Sequence, residues 1–199
     1  MFGLIILSLA SIASTGPIEV PTFVQPEVAA SQVAACSFKH VRPSFDEMLQ
    51  EDVITVSDMT TATGDQLRCV AKASLGSHYY VVFPEAIDSI YQPVYWRLSE
   101  ERELANAKAW LEKRGLLARL PAFDPKTSDP NAVAHTLEAL CGPKAVGTLK
   151  PMKGLMTLSD GALTSGGLDD ETFVCLLNVA TASGYPLGFI GNEAYSKDH

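Results

Sequence analysis

The chain has 199 residues, 47% of them hydrophobic and 19% charged, a globular composition that excludes a long polar tail and suits one domain or two small ones. Fifteen Lys and Arg stand against twenty-three Asp and Glu, giving a formal net charge of −8 and a pI near 4.9. The average field therefore repels phosphate backbones and anionic headgroups, and nucleic acid is excluded as an expected partner.

Residues 2–13 are uncharged and mostly apolar. At about 1.5 Å per residue they fall short of the roughly 20 residues that cross a bilayer, and Ser11-Ile12-Ala13 supplies the small residues that signal peptidase requires. A signal peptide is expected over 1–13, so that the mature chain is periplasmic or secreted and not an integral membrane protein. Residues 14–35, with Pro17, Pro21 and Pro26 among small and polar residues, read as a flexible linker. Val33-Ala34-Ala35-Cys36 has the outline of a lipobox, but it does not abut the apolar segment, and acylation would leave an odd number of cysteines. Lipidation of Cys36 is not expected.

Beyond the linker the spacing predicts one mainly α domain over 36–191, disulfide-stapled, with a C-terminal tail over 192–199. Ser44-Phe45-Asp46-Glu47 has the capping-box pattern that would open a short helix through Gln50. In the segment from Asp65 to Leu75, the residues Leu67, Val70, Ala71 and Leu75 share one helical face, and Gly76 stands where a left-handed residue would end the helix. Val53–Val56 and Tyr79–Phe83 are β-branched or aromatic runs suited to a short two-stranded ribbon. From about Leu98 to Arg114, acidic residues lead and basic residues close a surface helix, as the helix dipole favours. Asp129-Pro130 reads as N-cap and first turn of a helix with the stripe Val133, Leu137, Leu140 and Cys141. Lys144–Gly167 shows no convincing period and reads as a long connection holding short extended pieces. The last helix is expected from Asp169 to Ser183, ended by Gly184.

Cys36, Cys69, Cys141 and Cys175 are an even set in a chain expected to leave the cytosol, which favours two disulfides. Three connectivities are open. Cys36–Cys69 with Cys141–Cys175 is preferred because shorter loops close most often, each enclosing about 33 residues and contributing roughly 3–4 kcal/mol. No Cys-x-x-Cys or paired-His spacing announces a metal, and no cofactor is implied.

Chemistry is hard to locate. The nucleophile elbow, the phosphate-cradling glycine loops, the zinc-protease helix and the EF-hand loop are all missing from the sequence. His40, His78, His135 and His199 are scattered. His78, beside Tyr79-Tyr80, is the one placed to line an aromatic pocket. The paired carboxylates Asp46-Glu47, Glu51-Asp52, Glu100-Glu101 and Asp169-Asp170 read as helix-start or surface charge. Aromatic residues concentrate between Tyr79 and Trp96, with Pro84 and Pro93 expected to hold the intervening segment rigid. Core packing accounts for at least half of them, and Tyr91 and Tyr95 are expected to be exposed. A recognition surface of Tyr91, Tyr95, Trp96 and His78 for an envelope or extracellular protein or glycan follows from this reading. Two function classes stay open: an exported, non-catalytic binding module, and a small secreted hydrolase using His78 or a carboxylate for acid–base chemistry.

Overall fold

A computed structural model describes residues 24–57, 60–121, 123–124, 126–152, 155–159, 162, 167–185 and 188. The expected signal peptide, the first part of the linker and the C-terminal tail lie outside them. The chain divides into two compact units, Met1–Pro84 and Glu85–His199. Among the described residues there are five α-helices and two small sheets, and each unit carries one disulfide.

In the first unit, helix α1 (Pro26–Ala34) occupies part of the segment read as linker. Pro26 is at the first helical position, where its missing N–H costs nothing, and Ala29, Ala30 and Val33 then fall on one buried face. Strands β1 (Val41–Asp46) and β2 (Glu51–Val56) form an antiparallel hairpin, in which Val41 faces Val56 and Asp46 faces Glu51. The helix expected from Ser44 through Gln50 is therefore absent. A four-to-six-residue helix cannot offset its own nucleation, whereas the extended chain pairs with β2 along its whole length.

Helix α2 (Gly64–Ser77) starts at a capping box: Gln66 N–H donates to the Thr63 hydroxyl at 3.2 Å, and Thr63 N–H donates to the Gln66 side chain at 2.9 Å. It ends not at Gly76 but at His78, which takes the left-handed conformation at φ 64° and donates its N–H to Ser74. Strand β3 (Val81–Val82) then runs parallel to β2, Ile54 facing Val81, so the expected ribbon forms and β1 extends it to three strands. The Cys36–Cys69 disulfide ties the end of α1 to α2, with Cα atoms 5.6 Å apart. In the same unit, Phe38 and Phe83 pack with ring centroids 5.6 Å apart.

The second unit opens with α3 (Glu85–Lys113), which begins thirteen residues before the expected Leu98 and contains Pro93. Glu85 and Asp88 supply first-turn charge, and Ile87 and Tyr91 are spaced i, i+4 on a buried face, so the helix continues through a proline that removes one backbone bond. Pro93 is thus inside a helix instead of bounding a rigid turn. Gly115, at φ 65°, ends the run, and Leu116 N–H returns to the Leu111 carbonyl.

Helix α4 (Pro130–Cys141) is capped by the Asp129 side chain, as the sequence predicts, and α5 (Asp170–Ser183) by that of Asp169, the residue at which the sequence predicts the helix itself to start. Between them, the connection holds the hairpin β4 (Leu149–Met152) and β5 (Leu155–Leu158). Leu111, Leu137, Met156, Leu176 and Val179 form the centre of the core. Cys141–Cys175 links α4 to α5, again with Cα atoms 5.6 Å apart, and all four cysteines of the chain are paired.

Candidate functional site

The four residues expected to share a surface are divided between the units. His78 belongs to the first, where its unusual backbone conformation closes α2 and its ring is exposed. Tyr91, Tyr95 and Trp96 belong to the second, on the first half of α3.

Those three differ sharply in burial. Tyr91 is 2% exposed, which corrects the expectation that it faces solvent: a helix through Pro93 turns residue 91 onto the same face as Ile87. Tyr95 is half-buried, with its ring centroid 5.9 Å from that of Tyr91. Trp96 is 56% exposed and meets Tyr95 edge-on, centroids 5.4 Å apart and planes at 78°. Tyr95 is thus a buttress between a buried tyrosine and an exposed indole. Edge-to-face packing is a favoured arrangement for such a pair of rings.

The carboxylate pairs sort differently from their sequence reading. Asp46-Glu47 borders the β1–β2 turn instead of starting a helix, while Glu51-Asp52 opens β2 as exposed surface charge. Asp169 does cap a helix: its Oδ1 accepts from Thr172 N–H at 2.8 Å, and its Oδ2 accepts from Lys144 Nζ at 2.7 Å. The hydrogen bond from Lys144 holds the Asp169 carboxyl well below the usual range, and the same bond raises the Lys144 ammonium above its usual value.

One residue with unusual chemistry escaped the sequence reading. Glu138, 1% exposed, is the one buried acidic side chain among the described residues. Its Oε1 accepts the Leu149 N–H at 2.7 Å, which joins α4 to β4, and its Oε2 lies 3.4 Å from Nδ1 of the exposed His135. The signal was its place at i+4 from Ala134 on an otherwise apolar face. With one oxygen spent on a backbone donor, this carboxylate is a structural acceptor first. Among the described residues, no group of three His, Cys, Asp or Glu side chains comes together as a metal ion requires. None of the described helices is long and apolar enough to cross a membrane.

No known protein family, curated protein or solved structure matches this chain.

Proposed function

We propose that this chain is an exported, non-catalytic binding module that recognises an envelope or extracellular protein or glycan through Trp96 and its buttress Tyr95. The observation that carries the reading is the indole: a tryptophan more than half exposed, packed edge-on against a half-buried tyrosine. An amphipathic ring already packed against a neighbour loses little conformational entropy on binding, which is why tryptophan and tyrosine dominate recognition hot spots. Export is supported by the two disulfides, since such bonds persist in oxidising compartments. The Cys36 sulfur is bonded to Cys69, which leaves it no valence for a lipid thioether. Cleavage after Ala13 would start the mature chain near Ser14, and the mass of the exported protein reads this directly.

Trp96→Ala and Tyr95→Ala test the surface. Trp96→Ala should weaken retention of a partner from an envelope extract, at least tenfold if the indole is a hot spot worth about 1.4 kcal/mol or more. Its thermal stability should stay within about 1 kcal/mol of the parent, as is usual for exposed positions. Unchanged retention in both variants overturns the reading.

A further inference from the structure

A second surface, in the other unit and independent of Trp96, is built on the β1–β2 hairpin. The turn fixes itself with polar groups: Oδ1 of Asp46 accepts the N–H of Met48 at 2.9 Å and of Leu49 at 3.0 Å, and the Gln50 side chain donates to the Glu47 carbonyl. Gln50 completes it in the left-handed conformation at φ 57°. Nothing in that scheme needs an apolar side chain, and turn positions ordinarily hold Gly, Asn, Asp or Ser. Yet Met48 is 92% exposed, Leu49 47% and Phe45 58%. The register places Phe45 on the face of Val41, Pro43, Ile54 and Val56, so the apolar row of the buried face continues past the core to the tip.

Charge surrounds these three side chains. Asp46, Glu47, Glu51 and Asp52 flank the turn, and no Lys or Arg occurs between Arg42 and Arg68. The tip is therefore an apolar peg in an anionic collar. A second copy of the tip would bring the collars together, and an anionic bilayer would repel it.

We propose that the β1–β2 tip is a docking peg for a protein partner whose apolar pocket is rimmed by Lys and Arg. Met48, Leu49 and Phe45 fill the pocket, and Glu47, Glu51 and Asp52 pair with its rim. The turn's own hydrogen bonds keep the peg in its bound shape, so association orders little backbone.

The probe is a random peptide library displayed on phage and selected against the full disulfide-bonded chain. Selected peptides should be enriched in Lys and Arg next to aromatic or aliphatic residues, and their affinity should fall as salt is raised, because rim charges are screened. Met48→Ser combined with Leu49→Ser should weaken them at least tenfold, Glu47→Lys with Glu51→Lys should do the same, and Val146→Ser, an exposed aliphatic of the other unit, should leave them unchanged. Met48→Ser alone, at the most exposed position, carries the test if the double variant fails to fold. The proposal is overturned by an unenriched or empty selection, by peptides that depend on Trp96 instead of the tip, or by salt-independent binding. Tip-dependent dimerisation in sedimentation, or tip-dependent partitioning to anionic phosphatidylserine vesicles, overturns it in favour of a self-contact or a membrane contact.

Discussion

At Glu138 a carboxylate sits in a hydrophobic core because it satisfies a backbone donor that the β4 strand leaves at its start. Glu138→Ala removes that acceptor and strands the Leu149 N–H, which should cost about 1–3 kcal/mol. Glu138→Gln keeps an oxygen in place and should cost less, and urea unfolding of the two variants measures the difference. Asp169 makes a different, pH-dependent contribution. Its folded pKa lies below the unfolded one, so the stability it confers is complete above the usual carboxylate range and is lost as pH falls through the folded value. The raised Lys144 works in the opposite sense, contributing below its usual pKa and losing that contribution as pH rises through the folded value. Asp169→Ala should therefore melt below the parent at pH 7, and the gap should narrow once the pH drops under the usual carboxylate range. A gap that is constant down to strong acid would show that the charge of Asp169 does not act in the cap.

Helix α3 contrasts two neighbouring aromatics on one element. Tyr91→Ala opens a buried site and should destabilise by roughly 3–5 kcal/mol, whereas Trp96→Ala should stay near the parent, and thermal melts of the pair decide whether the helix faces as described. The element also shows where local sequence signals run out. Helices α4 and α5 were legible because Asp129-Pro130 and Asp169 are side-chain caps read within four residues, and Gly184 supplies a left-handed stop. The first half of α3 was not, since Pro93 argues locally against helix and the packing of Ile87 and Tyr91 that outweighs it is tertiary. Strand β1 failed for a related reason: Ser44 to Glu47 carries a helix-start pattern, and only pairing with residues 51–56 settles the extended form. As for the recognition surface, Trp96 was legible as an aromatic hotspot, but solvent exposure depends on helix phase, and misplacing the start of α3 misplaced Tyr91. The hairpin tip is not legible locally, because Ser44 to Gln50 carries a helix-start pattern and only the pairing of β1 with β2 turns Phe45, Met48 and Leu49 into a tip.

Across the molecule, the disulfides follow the division of the chain. Cys36–Cys69 lies wholly in the unit up to Pro84, Cys141–Cys175 wholly in the unit from Glu85, and no disulfide crosses from one to the other. That explains why short-loop pairing holds here, since each cysteine finds its partner in its own unit. Each loop spans 33 or 34 residues, so the chain-entropy contributions are nearly equal at roughly 3–4 kcal/mol. The consequence is a local effect for each bond. Replacing Cys36 and Cys69 together with Ser should speed amide exchange in α1, α2 and β2, while α4 and α5 keep the parent's protection; replacing Cys141 and Cys175 should do the reverse. Hydrogen exchange followed by mass spectrometry resolves the two cases by peptide. Equal loss of protection in both units from either pair of substitutions would mean that the chain unfolds as one cooperative body despite its two cores.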